Sequence, residues 1–327
     1  MNQSRNLLVI VVILSLLAGI FLFLNFSDRD STLSSADTAF ALQDSLGVTG
    51  VRLTQVQEGI PITTIDLQKN QEEIWMVNGT YRAFEPQIGY LLTTLRRLQV
   101  KEVLTGQGIE SAEKILGLVH TRVEITDANG PVKTYLLGTS ARDSKGSLMK
   151  LEGARQPFIV ERPDLQGFIN PFFTIDVDIW REKLLWRATA ADLASIRIEH
   201  TDSSEKNLWM STDTESPWTL QPGGETPDPE KLNAYLDQFQ GAVYAESFAS
   251  RKDPEKLEEL KERKEDVRLI LEYRDGNSTE VVLYLREDNP NSYYGWVIGE
   301  EELYTIQHFV FDKFLVSNQS FQLQAGV

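Results

Sequence analysis

An internal repeat constrains the fold of this chain more than any other feature. Trp75 stands eleven residues before Pro86, and Trp218 stands eleven residues before Pro229. The offset between the two stretches is 143 at these positions and becomes 146 further along. Because a repeat of this length has the size of a domain, we predict two tandem domains of the same architecture.

Each repeat contains a helix that begins at a proline. Pro86 and Pro229 suit the first turn of a helix, where a backbone N–H would have no intrahelical partner. Asp228 is a good N-cap for the second helix. Apolar residues then recur every three or four positions, as in an amphipathic helix. They are Ile88, Leu91, Leu92, Leu95 and Leu98 in the first repeat and Leu232, Tyr235, Leu236 and Phe239 in the second.

A hairpin and a further strand follow each helix. The predicted strands are 121–126, 132–137 and 157–161 in the first repeat and 267–273, 279–285 and 303–306 in the second. Asn129-Gly130 and Asp275-Gly276 supply the turn residues at the hairpin tips. A short amphipathic segment comes next, in which Phe168 is expected to correspond to Phe314. Local antiparallel pairing predicts an α+β fold, each repeat being an antiparallel sheet with helices packed on one face.

An apolar segment at the N-terminus predicts a membrane anchor. Leu7 to Leu24 is an 18-residue run without charge, and about 20 apolar residues span a bilayer as a helix. A cleaved signal peptide is the alternative, but its apolar core is normally only about 7–15 residues long. Arg5 precedes the run, which favours a cytoplasmic N-terminus. We therefore predict a single-pass anchor.

The predicted domain layout follows from the anchor and the repeat. A polar segment links the anchor to the folded part, and residues 251–266 differ most between the repeats and suit an exposed charged helix. The layout is a cytoplasmic tail 1–6, a transmembrane anchor 7–26, a linker 27–47, repeat one 48–185, repeat two 186–321 and a tail 322–327.

Composition narrows the classes of partner. The formal net charge is −16, which argues against a nucleic-acid partner because phosphate binding needs clustered Lys and Arg. The chain has no cysteine, so it has no disulfide, thiol nucleophile or thiolate metal ligand. These observations leave the membrane, through the predicted anchor, as an expected partner.

The order of these elements resembles that of domain-of-unknown-function family 4340. The features are an anchor, a strand ending in Trp-x-Val or Trp-x-Leu, a helix begun by Pro, a hairpin and a Phe-Ile-Val strand. Trp75 to Ile169 and Trp218 to Leu315 carry the resemblance. It implies a protein of the bacterial inner membrane with its soluble part on the periplasmic side. It also implies an accessory role beside an ABC-type export system of the gliding-motility kind, and it implies no catalytic residue.

Three histidines and one serine are the candidate reactive groups. His120, His200 and His308 lack a second ligand at metal-binding spacing. Ser203-Ser204-Glu205-Lys206 is a Ser-x-x-Lys tetrad of the kind used in acyl transfer. It lies in a polar stretch without the Lys-Thr-Gly partner motif, and a match this short is expected by chance. We therefore predict no catalytic, cofactor-binding or metal-binding residue.

Two further segments suggest chemistry more weakly. Asp176, Asp178 and Glu182 lie near Trp180 and Trp186, and carboxylates beside aromatic residues are found in glycoside hydrolases. The simpler interpretation is an inter-domain linker whose tryptophans hold the repeats together. Residues 138–146, with Arg and Lys among small residues, could form an anion-binding turn, and a plain β-turn is the simpler interpretation.

Three hypotheses remain. The first is a non-enzymatic, membrane-anchored accessory protein that binds partner subunits of an envelope complex. The second is an envelope hydrolase acting on glycan, with acidic residues such as Asp176 and Asp178 at the cleft between the repeats. The third is a mechanical spacer, in which only length and rigidity matter.

Overall fold

The computed structural model describes residues 35–141, 143–213, 217–251 and 253–322. They form two compact units that divide between Trp180 and Arg181, called copy 1 and copy 2 below. The predicted tail 1–6 and anchor 7–26 lie outside the described residues. No helix within the described ranges has both the length and the apolar character needed to cross a membrane.

Copy 1 is built on a nine-stranded antiparallel sheet with the strand order β4-β3-β2-β1-β6-β7-β8-β9-β5. Its strands are β1 Val48–Gln57, β2 Ile60–Lys69, β3 Trp75–Val77, β4 Tyr81–Arg82, β5 Gln99–Val103, β6 Val119–Asp127, β7 Gly130–Ser140, β8 Ser147–Leu151 and β9 Phe158–Glu161. Its helices are α1 Ser35–Thr38, α2 Glu85–Arg97, α3 Gln107–Leu118 and α4 Val177–Trp180, with a 3-10 turn at Asn170–Phe173.

Copy 2 repeats that sheet with eight strands in the order β13-β12-β11-β16-β17-β18-β19-β15, beside a two-stranded sheet of β10 and β14. Its strands are β10 Leu184–Ala188, β11 Leu193–His200, β12 Leu208–Ser211, β13 Thr219–Leu220, β14 Gly241–Tyr244, β15 Ser247–Phe248, β16 Val267–Tyr273, β17 Ser278–Leu285, β18 Ser292–Val297 and β19 Leu303–Gln307. Its helices are α5 Pro229–Leu236, α6 Lys256–Lys261 and α7 His308–Phe311, with 3-10 turns at Ser204–Lys206, Asp237–Phe239, Asp312–Phe314 and Asn318–Phe321.

The register of the strands is repeated as well as their order. Val123 of β6 lies opposite Tyr135 of β7, and Leu269 of β16 lies opposite Val281 of β17, so both partners are shifted by 146 positions. The pairs β8–β9 and β18–β19 keep the same offset. A slip of one residue would turn every core side chain to the other face. The duplication is therefore preserved at the level of individual side-chain positions.

The two proline-led helices form as expected and pack on one face of each sheet. Ile88, Leu91 and Leu95 of α2 are buried with the inward side chains of the copy 1 sheet. In copy 2, the Asp228 carboxylate accepts hydrogen bonds from the N–H groups of Glu230 and Lys231 at 3.0 and 3.3 Å. The predicted N-cap is therefore confirmed.

Helices also cover the opposite face of each sheet, so the expectation of helices on one face is wrong. Leu136 of β7 packs with Leu116 of α3, whereas its neighbour Leu137 lies in the main core. In copy 2, Val282 packs with Leu260 of α6 on the second face. Successive strand residues point to opposite faces, so the apolar run of β17 needs cover on both sides. The α+β class itself is confirmed.

An aromatic residue closes each copy at its C-terminal end. The carbonyl of Trp180 accepts the N–H of Phe84, the N-cap of α2, at 2.6 Å. The carbonyl of Phe321 accepts the N–H of Asp228, the N-cap of α5, at 2.9 Å. Trp180 is fully buried in the core of copy 1, and Trp186 is buried in the core of copy 2. Each of these tryptophans therefore belongs to the core of its own copy.

One sequence-based correspondence is corrected by burial. Phe168 is exposed whereas Phe314 is fully buried, so the two are not equivalent. Phe173 is buried and matches Phe314 better, because Phe173 precedes Trp180 by the same number of residues as Phe314 precedes Phe321.

The division between the copies at Trp180 falls five residues before the predicted boundary at 185. A boundary at 185 would have separated the first residues of β10 from the rest of that strand.

The predicted linker 27–47 is partly folded into copy 1. Phe40 is 1% exposed and Leu42 is 3% exposed, and both lie in the main core. The Lys133 ammonium donates to the carbonyls of Ala39 and Ala41 at 2.6 and 2.9 Å. A segment with this burial and these bonds is not a free tether. Only its sequence composition, which is rich in Ser, Asp and Thr, had suggested one.

Candidate functional site

Two of the three histidine side chains have local structural partners, and the third is partly buried. Nδ1 of His120 lies 2.7 Å from the carbonyl oxygen of Leu116. The ring of His308 stacks on Tyr293 with the centroids 3.9 Å apart. Burial, aided by the nearby charge of Lys206, lowers the pKa of His200. Within the described ranges, no group of three or more His, Cys, Asp or Glu could hold a metal ion.

Ser203 and Asp176 act locally on the backbone and on neighbouring side chains. The Ser203 hydroxyl donates to the Glu205 carboxylate at 2.8 Å, beside the short 3-10 turn. The Asp176 carboxylate accepts the N–H of Asp178 at 3.1 Å at the start of α4. The Glu182 carboxylate lies 3.5 Å from Arg187. These contacts serve turn formation, helix capping and ion pairing.

The loop after β7 uses its own backbone donors. The N–H of Lys145 donates to the Asp143 carboxylate at 2.9 Å, and the N–H of Gly146 donates to the carbonyl of Gly167 at 3.0 Å. Lys101 forms an ion pair with Asp143 at 2.9 Å. These contacts give the donors internal acceptors, one of them an anion. A turn stabilised from within fits this geometry better than an anion-binding turn does.

Copy 1 carries an exposed apolar cluster at one end of its sheet. We call it the tip patch, and it consists of Ile60, Ile62, Leu118 and Val119. Their exposed fractions are 63%, 56%, 48% and 39%. Gln57 of β1 lies opposite both Ile60 and Val119, so these two side chains flank it on the same face of the sheet. Single exposed apolar residues are common, whereas a contiguous group marks an interaction surface.

A tight turn places the tip patch at the outer end of its hairpin. Glu58 and Gly59 both have positive φ, at 51° and 80°. A two-residue hairpin turn needs this conformation so that its twist matches the twist of the flanking strands. Ile60 therefore begins β2 directly after the turn. The N–H of Glu58 donates to the carbonyl of Leu118 at 2.8 Å, which brings the end of α3 to the same place.

The corresponding end of copy 2 is polar. The turn between β11 and β12 runs through residues 201–207 and contains the 3-10 turn Ser204–Lys206. The Thr201 hydroxyl donates to the carbonyl of Glu265 at 2.6 Å. The tip patch is therefore a property of copy 1 and not of the shared scaffold.

Copy 2 carries a cleft of about 300 Å³ on one side of α5, which we call the lysine cleft. Its lining residues are Lys231, Ala234, Tyr235, Gln238, Lys313, Val316, Ser320 and Phe321. The rings of Tyr235 and Phe321 lie 5.3 Å apart, and the Tyr235 hydroxyl donates to the carbonyl of Phe314 at 2.9 Å. Burial raises the pKa of Tyr235, so this hydroxyl stays protonated. The cleft thus has a rigid aromatic wall and two cationic side chains.

Aromatic residues and cations also alternate under α6. The guanidinium of Arg286 lies 4.3 Å from the ring centroid of Tyr294, and the ammonium of Lys261 lies 5.1 Å from that of Trp296. Arg286 forms an ion pair with Asp288 at 2.6 Å, and this carboxylate raises the pKa of Arg286. Because the cations are already paired and α6 covers part of this face, the arrangement stabilises α6 rather than offering a binding site.

The sequence offered uneven signals for these surfaces. Ile60-Pro61-Ile62 follows Glu58-Gly59, a turn dipeptide that could have placed this apolar group at a hairpin tip, but its exposure was not predicted. Lys231 and Lys313 are 82 positions apart in the chain, so no local pattern could have joined them in one cleft.

Comparisons with known proteins give no further information on identity. No protein-family model matches the chain, and the searches of curated proteins and of solved structures found no match.

Proposed function

We propose that this protein is a non-enzymatic, membrane-anchored accessory subunit that binds other proteins of an envelope complex, such as an ABC-type export system of the gliding kind. The single observation that carries the proposal is the tip patch of copy 1. Its four apolar side chains occupy one end of a sheet whose counterpart in copy 2 is polar.

The proposal fits the physical chemistry of protein interfaces. The four side chains of the tip patch are 39% to 63% exposed, so their apolar surface is in contact with water. Association with a partner would bury that surface, which is favourable. Burial of apolar area contributes roughly 25 cal/mol per Å², and a few well-packed anchors dominate the energy of most interfaces. The backbone around two of these anchors is fixed, because Ile60 and Val119 both lie opposite Gln57 of β1.

The location of the protein is part of the same proposal. The uncharged run from Leu7 to Leu24 would anchor the chain in the bacterial inner membrane, with both copies on the periplasmic side. The resemblance to domain-of-unknown-function family 4340 supports this location and the link to export systems. The partners would then be other membrane-associated subunits.

Purification from membranes after mild cross-linking tests the proposal. The wild-type chain should bring down defined subunits, and Ile60→Asp with Ile62→Asp should reduce their recovery at least about tenfold. Val132→Asp is the matched control, because Val132 is 43% exposed on β7 and lies outside the tip patch. Recovery of the wild-type chain alone in gentle detergent would contradict the proposal, as would unchanged recovery with the paired substitutions.

A mechanical spacer is the second candidate, and the bonded segment before β1 favours it. Lys133 and Tyr135 of β7 hold the carbonyls of Ala39, Phe40 and Ala41. Force applied through an anchor would thus reach the sheet directly. A spacer should tolerate the tip-patch substitutions, whereas insertion or removal of a rigid element should impair it, so the two candidates give opposite results in a complementation assay.

A further inference from the structure

We propose that the lysine cleft of copy 2 binds a partner segment in which an apolar side chain lies beside one or more carboxylates. This inference rests on the proposed function, because it assigns partner chemistry to a second surface of the same accessory protein. The juxtaposition that carries it is an aromatic wall, formed by Tyr235 and Phe321, in a lining that also contains Lys231 and Lys313.

The size and lining of the cleft indicate an apolar anchor. A volume of about 300 Å³ lies at the lower end of ligand sites, which are roughly 300–1,000 Å³ in size. It therefore suits one or two side chains better than a whole cofactor. Ala234 and Val316 complete the apolar lining, and the N–H of Asp228 donates to the carbonyl of Phe321, which fixes the backbone at that residue. A preformed apolar recess of this kind is a suitable receptor for an interface anchor.

The charge around the cleft indicates an acidic partner. The Lys231 ammonium donates to the carbonyl of Gln322 at 2.9 Å, and the Lys313 ammonium lies 4.9 Å from the ring centroid of Phe314. Among the described residues neither lysine forms an ion pair. Asp312, next to Lys313, accepts from the Tyr293 hydroxyl at 2.8 Å and lies 3.5 Å from His308. The two ammonium groups are therefore available to carboxylates from outside.

Copy 1 provides an internal comparison for the same place in the scaffold. The third residue of α2 is Gln87, whereas the third residue of α5 is Lys231. Phe172 precedes Trp180 by the same number of residues as Lys313 precedes Phe321, so Phe172 takes the position of Lys313 in copy 1. Neither lysine is kept in copy 1, so the charge of the cleft is an individual feature of copy 2.

Selection from a random peptide library tests the assignment. The full-length chain in phosphatidylcholine nanodiscs would be presented to 12-residue peptides displayed on phage. Peptides enriched on the wild-type chain over Lys231→Glu with Lys313→Glu should carry an aliphatic or aromatic residue within two positions of Asp or Glu. Their affinity should fall at least about tenfold on charge reversal and fall again with added salt, since screening shortens the reach of exposed charges to about 3 Å at 1 M.

Matched variants separate the two parts of the cleft. Ala234→Trp fills the recess without changing charge and should also abolish binding, whereas Asn233→Trp on the same helix lies outside the lining and should not. Lys206→Glu with Lys264→Glu makes the same change in net charge at exposed positions elsewhere in copy 2 and should leave binding intact. Circular dichroism and thermal unfolding confirm that each variant is folded.

Several results would overturn the assignment. One is a selection in which no peptide prefers the wild-type chain to the charge-reversed variant. Another is that the selected peptides bind both chains equally. A third is native mass spectrometry that shows an anionic lipid on the wild-type chain and none on the charge-reversed variant. The proposed function is judged separately by the tip-patch purification. Partner recovery with the tip patch intact but no peptide selection would reject the lysine cleft alone, and peptide selection without any recovered subunit would reject the tip-patch proposal alone.

Discussion

Phe40→Ala should strongly destabilise copy 1, although Phe40 lies in a segment that the sequence suggests is a linker. Its side chain is 1% exposed. The ring stacks on Tyr135 with the centroids 6.1 Å apart and meets the edge of Phe158 at 5.8 Å. Removing the ring takes these contacts away and leaves a cavity that the paired strands around it cannot readily close.

The expected loss is about 3–5 kcal/mol, the usual cost of Phe→Ala in a core. A factor of ten in an equilibrium constant corresponds to about 1.4 kcal/mol, so the change is roughly 10² to 10⁴ in the folded-to-unfolded ratio of copy 1. Hydrogen exchange followed by mass spectrometry measures this ratio separately for each copy. Peptides from β1 and β6 should lose protection by that factor, while peptides from β16 should keep it.

Phe309→Ala is the matched control, because Phe309 is 81% exposed and its loss should change stability by only about 0.5 kcal/mol or less. The reasoning fails if Phe40→Ala lowers the protection of β1 by less than about tenfold. That result would mean that residues 39–42 are not part of the core of copy 1 and would restore the linker interpretation.

Three further predictions concern copy 2. Asp228→Ala should cost about 1 kcal/mol by removing the N-cap, and Asp228→Asn should restore most of it, as urea denaturation would measure. Burial lowers the pKa of His200 below 6.5. As pH falls, the unfolded state therefore binds the proton first, and copy 2 should lose stability below about pH 6.5. His200→Asn should remove this dependence of the unfolding free energy on pH, and an unchanged dependence would assign it to another group. Gly295→Ala should cost about 1–3 kcal/mol because a Cβ there would collide with Ile306, and Ile306→Val should recover part of that loss in a double-mutant cycle.

Periodicity and turn chemistry were enough to predict the paired elements of each copy. The strands around Asn129-Gly130 and Asp275-Gly276 form where the alternation places them, and both glycines have positive φ. These signals are local, because a hairpin brings together residues close in sequence. The strands β8 and β18 were not predicted, although each pairs with the strand before it and the strand after it in the chain.

The candidate site was less predictable than the fold. The place of Ile60 and Ile62 beside a tight turn could be inferred from Glu58-Gly59, but their exposure and their proximity to Leu118 depend on how α3 returns to β6. The lysine cleft depends on contacts between α5 and the last 3-10 turns of copy 2. Side chains so far apart in sequence meet only when the core has packed.

The sequence by itself determined the duplication, the proline-led helices, the hairpins and the antiparallel character of each sheet, because each follows from periodicity or from turn residues within a short window. Only the tertiary structure decided where each copy begins and ends. Phe40 and Trp180 look like parts of linkers when read locally, and both are fully enclosed in copy 1. Burial depends on partners distant in the chain, such as Tyr135 and Phe84, and no local pattern records them.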